Sequence, residues 1–261
     1  MGLDDDDDDE AACFADMGFM FEGAEPSILE TFQWTKDDDR IIKISLKRAD
    51  GDPGAVQSGH YLWPAAPALA GHLVERHEAP QRVIELGAGC ALLSLTALQV
   101  FTTLECVVTT DHDPGTLERA KDNLEITCEE FFSNQRLVEQ IVSVPTLWEP
   151  LSWGDEAAAE GVLSKLRSTL DRDAAKFDMI LGSDLIYDLD VVKPLLVTVA
   201  VILEKNNIAA RFILSQSFPY DDKTEIEIDD VCERFGLERK VLSDNLEEKD
   251  GVRIQEFYWK L

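Results

Sequence analysis

Short apolar segments with the character of buried strands alternate with helical segments from Arg82 onward, and this alternation constrains the fold more than any other feature. Strands that are apolar on both faces and separated by helices form parallel sheets covered on both sides. The strand candidates are RVIELGAG, LECVVTTD, LVEQIVSVPTLW, FDMILGSDLIY and ARFILSQSF, and the helix candidates between them are ALLSLTALQVF, PGTLERAKDNLEITCEEF, AAAEGVLSKLRSTLDRD and DVVKPLLVTVAVILEK. The sequence therefore predicts an α/β fold with a mostly parallel sheet.

The two ends of the chain depart from this alternation. After the fifth strand, LERKVLSDN and VRIQEFYWKL are joined by the polar turn LEEKDG, which predicts an antiparallel hairpin at the sheet edge. Before the first, RIIKISLKR alternates apolar and basic residues as a half-exposed strand does, and a helix begins near Pro67. Residues 1–30 hold the run DDDDDDE and few periodic apolar positions, so we predict a disordered acidic N-terminus followed by one domain over residues 31–261.

The net charge restricts the partners of this domain. The chain has 52 acidic and 24 basic residues and a net charge of −28, and without the seven acids of DDDDDDE the charge is still −21. An acidic surface repels phosphates, so no nucleic acid partner is expected. It attracts basic proteins by electrostatic steering, although the same charge can serve solubility alone.

The spacing of cysteines and histidines and the lengths of the apolar stretches indicate where the protein is located and whether it binds a metal ion or a membrane. The five cysteines are far apart, without a CxxC pair, and the four histidines have no HExxH spacing, so we predict reduced thiols and no metal site. No apolar stretch approaches the roughly 20 residues that span a bilayer, so no membrane association is expected. The acidic start matches neither a secretory nor a transit signal, which favours the cytoplasm, with the nucleus also open.

A glycine turn and an acidic residue suggest a nucleoside site. ELGAG (Glu85 to Gly89) leaves a strand and enters a helix, where backbone N–H groups are free and a ligand can come close. The next strand ends in TTDHDP, which puts Asp111 about 20 residues later, where a carboxylate can accept hydrogen bonds from ribose hydroxyls. Many α/β proteins have such a turn without a ligand. A dinucleotide site expects GxGxxG, whereas here the third small residue, Ala91, comes two places after Gly89.

The spacing resembles instead the E/D-x-G-x-G-x-G turn of S-adenosylmethionine-dependent methyltransferases, with Ala91 in place of the last glycine. YLWPAAPALAGHL, VIELGAGCALLSL, VVTTD, LSWG and FDMILGSDLIYD occur in the order seen in methyltransferase family 16, the seven-β-strand protein-lysine methyltransferases. The resemblance covers roughly residues 40–261, and its narrowest signal is a D-x-x-Y motif met by Asp184 and Tyr187. It implies the class I methyltransferase Rossmann-like fold with a seven-stranded sheet, S-adenosylmethionine as cofactor, and N-methylation of a lysine in a protein substrate.

The resemblance also implies roles for individual residues. Those expected to bind the cofactor are Trp63, Gly87, Ala88, Gly89, Asp111, Trp153 and Ser183. Trp63 would lie against the cofactor, Trp153 would stack beside the adenine, and Ser183 would contact it through its backbone. Glu85 is a weaker candidate, for the methionine amino group. Each has a structural alternative, since tryptophans fill cores and small residues allow close packing.

Asp184 and Tyr187 are the predicted catalytic residues. They follow a buried strand at the carboxyl edge of the sheet, where ligands of doubly wound folds lie. A carboxylate there can attract a lysine ammonium and orient it, and a tyrosine can shape the channel to the methyl group. Because the pair could instead be an ordinary polar strand end, we expect Asp184→Asn to distinguish the roles by lowering activity without affecting folding.

Three other functions stay open at this point. An NAD-dependent dehydrogenase would share the strand–turn–helix unit, and a small-molecule methyltransferase would share the cofactor turn. A non-catalytic S-adenosylmethionine-binding module could use the acidic surface to recruit basic partners. For the preferred interpretation we expect a monomer acting on a protein substrate that carries the target lysine, with basic proteins as candidates.

Overall fold

The protein is described by a computed structural model over residues 27–50, 58–130, 135–204 and 207–260. Its centre is a seven-stranded sheet of order β5-β4-β3-β6-β7-β9-β8, accompanied by a separate two-stranded sheet of β1 and β2. Residues 1–26 of the predicted acidic N-terminus lie outside the described residues, as do residues 51–57. The fold class predicted from the sequence is confirmed.

Five strands of the central sheet are parallel, and a C-terminal hairpin closes one edge in the antiparallel direction. The strands are β3 (Arg82–Glu85), β4 (Cys106–Asp111), β5 (Thr146–Pro150), β6 (Met179–Ser183), β7 (Arg211–Gln216), β8 (Leu237–Asp244) and β9 (Arg253–Trp259). The chain runs outward from β3 through β4 to β5 and then returns to β6 on the other side of β3. This reversal opens a crevice at the carboxyl ends of β3 and β6, where ligands of such sheets lie.

Helices cover both faces of the sheet. They are α1 (Ala65–Glu75), α2 (Leu92–Val100), α3 (Pro114–Glu130), α4 (Gln135–Ser143), α5 (Glu156–Leu170), α6 (Leu189–Leu203) and α7 (Asp222–Phe235). Buried residues of α5, α6 and α7 form the core on one face, and those of α1 and α2 form it on the other with β2. None of the helices in the described ranges is long and apolar enough to cross a bilayer.

The N-terminal hairpin consists of β1 (Ser27–Thr35) and β2 (Ile41–Ala49). The alternation in RIIKISLKR is confirmed in part, because Ile42, Ile44 and Leu46 are buried while Ile41 and Lys47 are exposed, but Ser45 is buried as well. β1 was not predicted, and it begins at Ser27, inside the segment assigned to the disordered N-terminus. Its burial alternates between exposed and half-buried positions, and no β1 residue is fully buried.

Two segments between strands differ from the sequence prediction. LVEQIVSVPTLW was predicted to hold a strand, and β5 does begin inside it at Thr146, but α4, which was not predicted, occupies its first half. The apolar residues there recur at helical spacing, with Ile141 buried and its neighbour Val142 69% exposed. Helix α7 was not predicted either, because acidic residues interrupt its narrow apolar stripe of Ile228, Val231 and Cys232.

Candidate active site

A cavity of about 400 Å³ opens at the carboxyl edge of the sheet beside the β3–β6 crevice. This volume lies in the range of sites for small molecules, roughly 300–1,000 Å³. Eight of the nine residues predicted from the sequence line it, namely Trp63, Gly87, Gly89, Asp111, Trp153, Ser183, Asp184 and Tyr187. A larger cavity of about 710 Å³ lies at the opposite edge around Asp178 and Arg211. We place the functional site in the smaller cavity because ligands of this sheet type bind at the carboxyl ends of the strands.

The glycine turn forms one wall, and its backbone conformation explains its sequence. Gly87, Gly89 and Ala91 all have positive φ, of 55°, 52° and 62°. A Cβ atom on Gly87 would lie 2.8 Å from Leu185 Cδ2, and one on Gly89 would lie 3.0 Å from the backbone oxygen of Gly59. The two glycines are therefore required by both conformation and space, whereas the methyl group of Ala91 is accommodated at the cost of a left-handed backbone.

Ala88 is the one predicted site residue that is not among those lining the cavity. It is almost buried, and its backbone N–H donates to the carbonyl oxygen of Thr110 over 2.9 Å. Ala88 therefore ties the glycine turn to the end of β4.

Glu85 points away from the cavity and caps α2. Its Oε2 atom accepts a hydrogen bond from the Ser94 N–H over 2.8 Å, at a helix start whose N-cap residue, Ala91, has no side-chain oxygen. Burial raises the pKa of the Glu85 carboxyl to about 7, although the hydrogen bonds from Ser94 and Leu93 act in the other direction. Glu85 is 2% exposed and is not among the residues that line the cavity, and the suggested contact with a methionine amino group stays a prediction.

Asp111 is the last residue of β4; it lines the cavity and binds the backbone of the glycine turn. Its Oδ2 accepts from the Gly89 N–H and its Oδ1 from the Asp113 N–H, each over 3.1 Å. His112 lies next to it, with Nδ1 3.2 Å from Oδ1 of Asp111. Each carboxylate oxygen has two lone pairs, so Asp111 keeps acceptor capacity toward a ligand in the cavity.

Two tryptophans form further walls. Trp153 follows β5, and Gly154 behind it has a φ of 85° and donates its N–H to Thr198 Oγ1 over 2.9 Å. Trp63 precedes α1 and donates its indole N–H to the carbonyl oxygen of Ser58 over 3.2 Å. Their aromatic faces and the glycine cradle leave space for a flat heterocycle, so the residues present fit an adenosine-containing cofactor.

Asp184 is more constrained than a free carboxylate at a strand end. Its backbone is left-handed, with φ of 52°, and its side chain is 7% exposed. Oδ2 accepts from the Ala65 N–H at the start of α1 over 3.0 Å, while Oδ1 accepts from the N–H and hydroxyl of Ser217 over 2.7 and 2.9 Å. Burial raises the pKa of Asp184, and these hydrogen bonds oppose the rise. The carboxylate therefore holds α1 and the end of β7 together.

Tyr187 lines the same cavity as Asp184 but is exposed to solvent. It is 66% exposed and lies at the mouth of the cavity, three residues after Asp184 and just before α6. The loop that carries it is anchored by Gln216, whose Nε2 donates to the carbonyl oxygen of Ile186 over 3.4 Å.

Other lining residues were not found by sequence reasoning. They are Ser58, Gly59, His112, Leu151, Ser152, Leu185, Val191 and Pro194. His112 and Leu185 lie inside motifs already selected, so their neighbours could have pointed to them. Pro194, one turn into α6, carried no signal in the sequence.

This chain is a class I S-adenosylmethionine-dependent methyltransferase by three features. They are the strand order with its reversed C-terminal hairpin, the glycine turn, and the acidic residue at the end of β4. A structure described as a putative S-adenosylmethionine-dependent methyltransferase from Streptococcus mutans aligns with a TM-score of 0.50 over 88% of this chain and 55% of its own, at 10% identity. A likeness at that identity supports the fold alone.

Sequence comparisons give the family. The model of the lysine methyltransferase family matches residues 48–217. Protein N-terminal and lysine N-methyltransferase EFM7 of Candida glabrata is 30% identical over 201 residues, which cover 76% of this chain and 70% of the relative. Histone-arginine methyltransferase METTL23 of Xenopus laevis is 28% identical over 57% of this chain and 53% of its own. The chain belongs to the lysine methyltransferase family, and it is a methyltransferase that uses S-adenosylmethionine.

Proposed function

We propose that the cavity binds S-adenosylmethionine and that its mouth admits a lysine side chain of a protein substrate, which becomes N-methylated. One observation carries this proposal: eight residues selected from separate sequence motifs meet around a single cavity at the carboxyl edge. The cofactor, when bound, supplies a methyl group on a positively charged sulfur, so no metal or covalent nucleophile is needed.

The cofactor-binding roles follow from the positions of the side chains. Gly87 and Gly89 let the backbone approach the ligand, and Asp111 offers lone pairs to ribose hydroxyls. Trp63 and Trp153 would exclude water and offer aromatic faces. Ser183 lines the cavity at the end of β6, where its backbone can contact the ligand.

The roles of Asp184 and Tyr187 are proposed from their different exposure. Tyr187 would contact the lysine directly, because its ring stands at the mouth of the cavity. Asp184 lines the same cavity, so its negative charge can attract the ammonium even though both oxygens already accept hydrogen bonds. The lysine has to release a proton to solvent before its lone pair can form the new bond, and these residues would hold the amine in line for it.

Acidic residues at the helix starts favour a basic substrate. Asp155, Asp188 and Asp221 cap α5, α6 and α7 at the carboxyl edge of the sheet, and all three are exposed. Each accepts one backbone N–H and still presents a negative charge to solvent. This charge would attract basic residues that flank the target lysine and would repel nucleic acid.

Charge-removing variants of these caps test the preference for a basic substrate. Asn caps a helix about as well as Asp, so a triple change to Asn at 155, 188 and 221 should preserve folding. We expect KM for the protein substrate to rise severalfold and its dependence on salt to weaken, with the Kd for S-adenosylhomocysteine unchanged. An unchanged KM would show that these three helix caps do not help to dock the substrate.

The acceptor itself is tested by labelling. Radioactive methyl transfer into a whole-cell lysate, followed by mass spectrometry of the labelled band, should locate the methyl group on a lysine ε-amine. The relative from Candida glabrata is named for both N-terminal and lysine methylation, so an N-terminal α-amine is a second candidate acceptor. Label found only on small molecules would contradict a protein substrate.

We further propose that the protein acts as a monomer in the cytoplasm or nucleus. Cys90, Cys106, Cys128 and Cys232 are free thiols, in keeping with a reducing compartment. Light scattering and fluorescence localisation test these two points separately.

A further inference from the structure

The edge of β2 that faces the helices is bound by side chains instead of by another strand. Strand β2 pairs with β1 along one side. On the other side, Gln99 of α2 accepts from the Lys43 N–H over 3.0 Å and donates to its carbonyl oxygen over 2.6 Å. Thr127 of α3 donates to the carbonyl oxygen of Ser45 over 2.7 Å. These contacts hold the N-terminal hairpin against the methyltransferase domain.

Asn123 makes the same kind of contact and adds one to the glycine turn. Its Oδ1 accepts from the Lys47 N–H over 2.7 Å, and its Nδ2 donates to the Lys47 carbonyl oxygen over 3.1 Å. The second Nδ2 hydrogen is directed at the carbonyl oxygen of Cys90, also over 3.1 Å. The side chain is fully buried. One amide thus connects the hairpin to the turn that forms a wall of the cavity.

The segment after the hairpin reaches the same turn from the other side. Ser58 and Gly59 line the cavity, and the Gly59 carbonyl oxygen limits the space beside Gly89. The Cys90 thiol donates to the carbonyl oxygen of His60 over 3.4 Å. Cys90 is therefore held at its backbone by Asn123 and at its side chain by the segment that follows β2.

We infer that Asn123 is a positioning residue for the cofactor turn, and that through it the N-terminal hairpin sets the geometry in which Gly89 meets the ligand. This inference rests on the proposed cofactor site. In the described structure Gln99 and Thr127 bind the same strand but make no side-chain hydrogen bond to the turn. Variants of these two residues therefore show what loosening the hairpin does when the turn keeps its own contact.

The test compares variants that detach β2 at different points. Asn123→Leu removes the link to Cys90, whereas Gln99→Met and Thr127→Val remove only contacts with β2. We expect the calorimetric Kd for S-adenosylhomocysteine to rise about fivefold or more in Asn123→Leu, because the ligand then has to order a turn that Asn123 no longer holds in place. The two control variants should keep the wild-type Kd at a comparable loss of thermal stability. Equal weakening in all three would overturn the inference and leave Asn123 with a structural role only.

A variant of the proposed ribose acceptor distinguishes failure of the inference from failure of the site. Asp111→Ala should weaken the same binding strongly. If it does while Asn123→Leu does not, the inference is wrong and the site stands. If Asp111→Ala binds as well as the wild type, the proposed cofactor site is wrong, and the inference is overturned with it.

A measurement on the unaltered protein covers the case in which Asn123→Leu does not fold. Hydrogen exchange at the Lys47 N–H, which is bonded to Asn123, should slow on addition of S-adenosylhomocysteine. It should slow severalfold more than exchange at the Lys43 N–H, which is bonded to Gln99. Equal changes at the two amides would contradict a specific link through Asn123.

Discussion

Replacing Asp184 by Asn changes one atom in the most heavily bonded side chain of the cavity. In the wild type both carboxylate oxygens accept, one from the Ala65 N–H and the other from the Ser217 N–H and hydroxyl. An amide has only one oxygen, so its NH2 group must face one of these backbone N–H donors. The sequence-based expectation that Asp184→Asn leaves folding untouched is therefore revised by the structure.

The size of the effect follows from the two contacts. A buried donor left without an acceptor costs about 1–3 kcal/mol. For a domain of this size each kcal/mol lowers the thermal midpoint by roughly 2–4 °C, so a fall of roughly 2–12 °C is expected. Loss of a charge-assisted contact of about 1.5–3 kcal/mol would also lower turnover roughly ten- to a hundredfold.

Asp178→Asn is the control at the opposite edge of the sheet. Asp178 Oδ2 accepts two backbone N–H groups, from Gln81 over 3.0 Å and from Arg82 over 2.9 Å, and its Oδ1 accepts from Arg82 Nη2 over 3.0 Å. The amide oxygen of the variant can keep both backbone contacts while its NH2 group faces the Arg82 guanidinium, so the variant should lose stability through this ion pair, without a change in turnover per folded molecule.

The assay is methyl transfer per folded molecule, measured together with the thermal midpoint on both variants. A loss of turnover specific to Asp184→Asn supports its proposed part in the reaction. Turnover equal to that of Asp178→Asn would restrict Asp184 to holding α1 and β7 together. A wild-type midpoint in Asp184→Asn would refute the hydrogen-bond argument itself.

Three further predictions concern the glycine turn and its cap. Because burial raises the pKa of Glu85 from 4.5 to about 7, its contribution to stability is fully present below pH 4.5 and is lost as the pH rises through 7. Denaturant titrations should show the free energy of unfolding falling by roughly 3 kcal/mol more in the wild type than in Glu85→Gln between about pH 4 and pH 8, and parallel curves would contradict this. Ala91→Gly should raise the free energy of unfolding by up to about 1 kcal/mol, because it relieves a left-handed alanine, and a lower thermal midpoint would count against the strain. Gly87→Ala should weaken S-adenosylhomocysteine binding about tenfold or more, since its Cβ would lie 2.8 Å from Leu185 Cδ2; an unchanged calorimetric Kd would show that the turn does not shape the site.

The central sheet could be predicted because its strands carry their signal locally. Strand β6, Met179–Ser183, is buried at its first four positions, and a run of this kind between helical segments has few alternatives. Helix α4 was missed because it lies in the same short apolar run as β5, and the helical spacing of its few apolar residues was not separated from the strand that follows. Strand β1 could not be predicted from its own residues, since it depends on pairing with β2.

The sequence predicted which residues line the cavity, but not which hydrogen bonds they make. The motifs identified the residues that meet at the cavity, because motif residues recur where parallel strands end. The partners of Asp184, however, are 119 and 33 residues away in the chain, and no local pattern reveals that its oxygens are already engaged. Glu85 shows the same limit, because its orientation toward Ser94 is set by the turn that separates them.

The acids at the carboxyl edge meet two physical requirements at once. A parallel sheet places the starts of its helices at the edge where its strands end, and each start has unpaired N–H groups that favour a negatively charged cap. Asp113, Asp155, Asp188 and Asp221 supply such caps to α3, α5, α6 and α7. Neutral Asn or Ser would satisfy the N–H groups as well, so it is the helix macrodipole that favours a charged cap. In the proposed function the same charges would in addition attract a substrate that arrives as an ammonium ion.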